Sequence, residues 1–258
     1  ISVYPTLNGC NGPLVNFSIT VNPTPVMNPM SDISTCSGST VNQIDFSSSV
    51  AGSTYQWFNS NASIGLNASG TNNIPVFTAV NNTDAPVTSM IRVLSSANNC
   101  NSPVDSFLIT VNPALRIDSI VNQSVCNGSM INTVSISGNL TGASYTWNND
   151  DPSIGLSGSG MGDVSPFIAI NHSSQPVTAH ITITGVNPYN CPTAERTYSI
   201  TVHPTPQIEA GDDVTQCRGS HSQLAVSGGA TYQWSPATGL SCTNCASPFA
   251  TSTSNITY

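Results

Sequence analysis

Lysine is absent from this chain: its four basic residues among 258 are Arg92, Arg116, Arg196 and Arg218. A P-loop, Schiff-base chemistry and a lysine–asparagine isopeptide clasp each need that amine, so all three are excluded. Charge of either sign is scarce. Only 6% of residues are charged, against roughly a quarter in an average soluble domain. Solubility must come from the abundant Asn, Ser and Thr. The net charge of −8 and pI of 4.4 leave no basic face for phosphates, so no nucleic acid partner is expected. No run of 18 apolar residues occurs, and no membrane insertion is expected in this segment. Glutamate appears only as Glu195 and Glu209, while Gly, Pro, Asn, Ser and Thr interrupt every helical window. With neither a start methionine nor a leader, and with Ile1 inside a strand-like run, a piece of a longer chain is expected.

What the chain does have is an internal repeat. TCSGSTVNQIDFSSSVAGSTYQWFNSNASIGLNASG around Trp57 returns as VCNGSMINTVSISGNLTGASYTWNNDDPSIGLSGSG around Trp147. Cys36 recurs as Cys126, Trp57 as Trp147, Gly65 as Gly155, Phe77 as Phe167 and Pro86 as Pro176, each displaced by 90. Cys100 recurs one residue late, as Cys191. A closing strand reads FSITVNP at Phe17, FLITVNP at Phe107 and YSITVHP at Tyr198.

Within a unit the apolar period is two: Tyr55 with Trp57, Ile91 with Val93, and Phe107 with Ile109 and Val111. Turn signals such as Ala51-Gly52, Asn98-Asn99 and Asn187-Pro188 separate the runs. Strands are predicted near 32–35, 41–46, 53–58, 74–80, 88–95 and 106–112, repeating 90 or 91 residues later. Six or seven short strands per ninety residues, with an aromatic on the third, describe a two-sheet antiparallel sandwich of immunoglobulin-like size. The prolines set the expected boundaries. Residues 1–23 hold the last strands of a truncated repeat, 24–113 and 114–204 are full repeats, and 205–258 begins a divergent one. X-Pro-Thr-Pro linkers favour extended conformation, so the beads are expected to stand end to end. The homologous Trp57, Trp147 and Trp234 alternate with tyrosines and are expected in the cores rather than on a sugar-stacking surface.

TYQW at Thr54–Trp57, SYTW at Ser144–Trp147 and AGDDVTQCRGSHSQLAVSGGATYQWSPATGLSCTNCASP in the last segment resemble the PKD-like, immunoglobulin-fold repeats of large secreted surface proteins of Bacteroidota. The resemblance extends to repeats of type IX-secreted proteins, including giant gliding-motility adhesins. It covers essentially the whole chain. One departure is plain: the acidic WDFGDG-like stretch of PKD domains is replaced by Phe-Asn-Ser after Trp57 and Ser-Pro after Trp234. Only Trp147, followed by Asn148-Asn149-Asp150-Asp151, keeps acidity nearby.

Eight cysteines in an extracellular-looking chain suggest disulfides and an oxidising compartment. Cys242 and Cys245 are expected to close a local loop. A zinc site would want a second CxxC or nearby histidines, and neither is present. The other six fall into two classes: Cys36, Cys126 and Cys217 before the second strand, and Cys10, Cys100 and Cys191 in the last hairpin. Pairing within a unit (Cys36 with Cys100, Cys126 with Cys191) is the simplest expectation, since each bead could then fold alone. Pairing across the 26-residue gaps and pairing Cys36 with Cys191 are the alternatives.

No catalytic pattern is found. His172, His180, His203 and His221 are scattered, GxSxG is missing, and the thinly spread acids form no facing pair. Neither enzymatic activity nor a cofactor is expected. For calcium, Asp150, Asp151 and Asp163, and Asp212 with Asp213, offer hard oxygens but no EF-hand spacing, so solvated turn acids are the expectation. The reading that results is a stalk segment of a very large adhesin at the extracellular cell surface, serving attachment or gliding. Its partners would be a substratum or polysaccharide reached through distal regions, and the motility or secretion machinery of the outer membrane. The rival is a carbohydrate-binding or spacer module of a secreted polysaccharide-degrading enzyme.

Overall fold

A computed structural model describes all 258 residues. The chain is all-β, without an α-helix, and no helix is long and apolar enough to cross a membrane. Two immunoglobulin-like sandwiches occur in tandem along it.

In the first, one sheet is ordered Ile33–Cys36, Asp105–Asn112, Val87–Ala97, Thr54–Asn59, Ser69–Thr71, with Cys100–Asn101 folded back onto Val87–Ala97. Val87–Ala97 shows why period two works: Ser89, Ile91, Val93, Ser95 and Ala97 point inward and are buried. The facing layer is Thr40–Val41 paired with Phe77–Thr78, extended by single bridges Ile44↔Ile74 and Met27↔Ser48. Between the layers lie Trp57, Ile64, Ile74, Ile91, Val93, Phe107, Ile109 and Val111. The opening strand departs from an all-antiparallel pattern. Ile33–Cys36 runs parallel to the closing strand, with Ile33 opposite Ile109 and Cys36 opposite Asn112.

The second sandwich repeats this order with Gln123–Cys126, Ala194–His203, Val177–Val186, Ser144–Asn149 and Ser159–Met161, facing Met130–Ile131 and Phe167–Ile168. Gln123–Cys126 is again parallel to the closing strand, and Cys126 lies opposite His203.

Two departures from the strand expectations have physical causes. The runs 41–46 and 74–80 pair only briefly, because Pro75 lacks the N–H a ladder needs; Pro166 does the same in the second repeat. Ser69–Thr71 and Ser159–Met161 are strands outside the predicted runs. A Cβ on Gly70 would lie 2.3 Å from Cζ2 of Trp57, and one on Gly160 2.2 Å from Cζ2 of Trp147. These glycines let a strand pass directly across the indole.

The flanking segments are sparser. Residues 1–22 form two short hairpins, Ser2–Val3 with Val15–Asn16 and Thr6–Leu7 with Cys10–Asn11. Their register, Ser2↔Asn16 and Val3↔Val15, is that of Arg92↔Ser106 and Val93↔Asp105 displaced by 90. In the last segment His221–Gln223 pairs with Phe249–Thr251, and the Gly219 N–H donates to the Ser252 carbonyl. Gly38 to Ala79 and Gly128 to Ala169 make the same bond earlier.

The chain divides into two compact units. The first holds 1–118 with 137–144 and 185–194; the second holds 119–136, 145–184 and 195–258.

Candidate functional site

The cysteines make the most distinctive constellation in the first unit. Cys36 is bonded to Cys191, with an S–S distance of 2.01 Å and a Cα–Cα distance of 5.6 Å. This corrects the within-unit expectation: Cys100 and Cys126 are free thiols, as are Cys10 and Cys217. The reason is strand length. Cys36 lies beside Asn112 at the far end of the closing strand, whereas Cys100 precedes the start of that strand. Eight extended residues put about 26 Å between those ends, and a disulfide needs Cα atoms within about 7 Å. Cys242 and Cys245 are bonded to each other across their two-residue spacer.

The same unit holds further polar contacts between segments distant in sequence. Asn187 Nδ2 donates to the Pro113 carbonyl at 2.9 Å, holding the 185–194 loop. Asp84 accepts from Arg116 Nη2 at 2.9 Å and from Asn139 Nδ2 at 2.6 Å. The Arg116–Asp84 pair is exposed and contributes little stability.

Asparagines that the sequence did not single out carry the buried polar bonding. Asn59 Nδ2 donates to the carbonyls of Leu66 and Asn67, and its Oδ1 accepts from the buried Ser89 hydroxyl. Asn149 repeats the first two bonds with Leu156 and Ser157. Asn81 Nδ2 donates to Ala85 and Val111, and Asn171 to Gln175 and Val202. The signal was available: an asparagine recurring at a fixed place in each repeat of an Asn-rich chain.

The acids weighed for calcium do not converge. Asp151 accepts from the Ser153 N–H, capping a short 3₁₀ turn, and Asp163 accepts from the Ile136 N–H at 2.8 Å. Asp150 accepts from the His180 N–H at 2.6 Å and meets its ring Nδ1 at 3.0 Å. The His180 backbone N–H, then its ring, hold the Asp150 carboxyl below the ordinary carboxylate range. Asp212 and Asp213 are exposed on the rim of an open hollow of about 610 Å³, together with Arg218, Leu224, Trp234 and Ile256. No three His, Cys, Asp or Glu side chains group as metal ligands.

The histidines are also dispersed. Ser124 Oγ lies 2.9 Å from His203 Nε2, a Ser–His contact that the sequence reading missed. No carboxylate holds the other ring nitrogen, and the first repeat has Ser34 with Asn112 at the same place. It is a cross-strand polar pair, not an activated nucleophile.

Trp57 and Trp147 are buried. Their indole N–H groups have no partner, and each ring lies against its glycine strand. Trp234, expected in a core, is only half-buried. Its N–H donates to the Cys245 carbonyl at 2.8 Å, so the disulfide loop takes the place of the glycine strand.

No protein-family model matches this chain, and no curated protein matches it. Among solved structures it is similar to the I-band fragment I67–I69 of titin, at 10% identity and TM-score 0.42, covering 90% of this chain and 89% of that one. It is similar to mouse cadherin-23 EC22–24 at 11% identity and TM-score 0.43, over 90% and 89% of the two chains. It is also similar to human protocadherin-24 EC1–2, at 16% identity and TM-score 0.41, over 72% of this chain and all of that one.

Proposed function

We propose that this chain is a structural spacer: a run of sandwich repeats in a large secreted surface protein, holding a distal binding region away from the cell. The observation that carries this reading is the pairing of Cys36 with Cys191, which ties the opening strand of one repeat to the hairpin loop of the next. A bond placed there restrains the junction between repeats, as a load-carrying spacer requires. Disulfides also fit an oxidising, extracellular setting. With Trp57 and Trp147 buried, neither offers a sugar-stacking platform.

The repeat boundaries proposed are 24–113 and 114–204, flanked by the parts at 1–23 and 205–258. The finer assignment, to an adhesin of type IX-secreting Bacteroidota used in attachment or gliding, rests on the resemblance of the TYQW-type repeats. In it, the substratum or polysaccharide is bound by distal regions, and the outer-membrane secretion or motility machinery carries the chain.

The test is the intact size of the native protein on a low-percentage gel, with protease shaving of whole cells. A very large chain lost on shaving is expected. A compact protein of one or two further domains released to the medium would overturn the spacer reading and favour a module of a secreted enzyme.

A further inference from the structure

The free thiol of Cys100 sits where Cys191 would sit one repeat earlier. Cys191 belongs to a hairpin loop anchored on the end of a closing strand, at Pro113, and is bonded to Cys36, which lies opposite Asn112. Displaced by about 90 residues, the same frame recurs at Cys100. Its hairpin is anchored on Asn22, whose Nδ2 donates to the Asn98 carbonyl at 3.2 Å. The Cys100 thiol itself donates to the Asn22 carbonyl at 3.9 Å. Asn22 is the counterpart of Asn112 in FSITVNP and FLITVNP. The place beside Asn22 that corresponds to Cys36 holds no strand.

A second observation points to the occupant. Phe107, Ile109 and Val111 are 2%, 0% and 0% exposed, whereas their counterparts Phe17, Ile19 and Val21 are 50%, 67% and 88% exposed. The same apolar strand motif is core in one place and uncovered in the other. Its backbone is also unpaired along Ser18–Val21; Phe17 alone is bonded, its N–H donating to the Ile1 carbonyl and its carbonyl accepting from the Ile1 ammonium.

We propose that Asn22 and Cys100 form a covalent docking site for the opening strand of another repeat of this kind, a segment of the type Ile33-Ser34-Thr35-Cys36. The strand adds parallel to Phe17–Asn22, its first residue opposite Ile19 and its cysteine opposite Asn22. That is the register of Ile33 on Ile109 and Cys36 on Asn112. The cysteine then bonds Cys100. This deepens the spacer reading and rests on it: each repeat's opening-strand cysteine bonds the hairpin cysteine of the repeat that follows. Cys126, free and opposite His203, is the other kind of open half.

The site can be tested on the 258-residue chain with its two disulfides intact. The probe is a peptide of residues 30–38 carrying Cys36 as a mixed disulfide with thionitrobenzoate. The Cys100 thiolate attacks the peptide sulfur, the new S–S bond forms, and thionitrobenzoate leaves with the electron pair. The proton of the thiol goes to buffer, so no further oxidant is needed. Mapping then gives the share of peptide on Cys10, Cys100, Cys126 and Cys217. The expected result is a preference for Cys100 at least tenfold above that of a scrambled peptide, lost when the peptide carries Ser34→Pro. Equal distributions for native and scrambled peptides would overturn the proposal. The spacer reading would stand, since it depends on the size of the native chain.

Discussion

Gly70→Ala tests the strand-over-indole packing most directly. In an ordinary strand this change stabilises by roughly 0.5–1 kcal/mol, because alanine has less chain entropy to lose. Here the new Cβ would lie 2.3 Å from Cζ2 and 2.6 Å from Cε2 of Trp57, where carbon atoms rest at about 3.5–4.0 Å. The ring must withdraw by more than an ångström, yet it is buried in the core and its own strand is held on the other side by Val93. Overpacking of this kind costs about 1–3 kcal/mol, and strand displacement puts this case near the upper end. The sign therefore reverses. A loss of about 3 kcal/mol lowers the melting temperature of a ninety-residue domain by on the order of 10–20 °C. Urea unfolding of the whole chain, followed by tryptophan fluorescence, reads it. Gly160→Ala should behave alike, with Cβ 2.2 Å from Trp147. Trp57→Leu combined with Gly70→Ala should cost less than the two single changes added, by at least about 1 kcal/mol. A Gly70→Ala protein within about 0.5 kcal/mol of the parent, or strict additivity in the pair, would refute the reasoning.

Tyr198 occupies the place of Phe107, and its hydroxyl is buried without a partner. Tyr198→Phe should raise stability by about 1 kcal/mol, since it removes an unsatisfied polar atom; a loss on chemical denaturation would contradict the assignment. Burial pushes the Tyr198 phenol up to about 12 from 10. Below pH 10 it is neutral folded or unfolded. Above that only the unfolded phenol ionises readily, so stability should fall between about pH 10 and 12, and less so in Tyr198→Phe. For the disulfide, non-reducing peptide mapping should join Cys36 to Cys191, and recovery of Cys36 with Cys100 would refute the structure. The bond closes a separation of 155 residues, for which chain entropy gives a ceiling of about 5 kcal/mol. The Cys36→Ser/Cys191→Ser protein should lose about 2–5 kcal/mol in urea.

Periodicity made the sandwich legible because alternation in Phe107–Val111 and Ile91–Val93 is a direct trace of one buried face. It failed where a residue's usual meaning was reversed by a neighbour distant in sequence. Gly70 falls outside every predicted strand until Trp57 is laid against it. Ile44 and Ile74 read as strand residues, but they meet in a single bridge. Of the cysteine pairing, the local Cys242–Cys245 loop was legible, whereas Cys36 with Cys191 stood only among the alternatives. The classes, opening strand and hairpin, follow from spacing, whereas the choice of Cys191 for Cys36 depends on which ends of the strands lie together. The buried asparagines escaped notice because Asn59 and Asn81 look like every other surface asparagine in so polar a chain.

The parallel pairing of Ile33–Cys36 with Ile109–Asn112 decides how a repeat answers tension. The chain enters the pair at one end of the sheet edge and leaves it at the other. Once the Cys36–Cys191 bond is reduced, a pull on the two ends slides the strands along each other, loading the hydrogen bonds in shear, all together; while the bond holds, the segment between the two cysteines lies in a covalent loop and is shielded from the load. In an antiparallel hairpin pulled at its open end, the same bonds peel apart one after another. The short first strand thus works as a latch, and Gln123–Cys126 against Ile200–His203 provides the second sandwich with the same one.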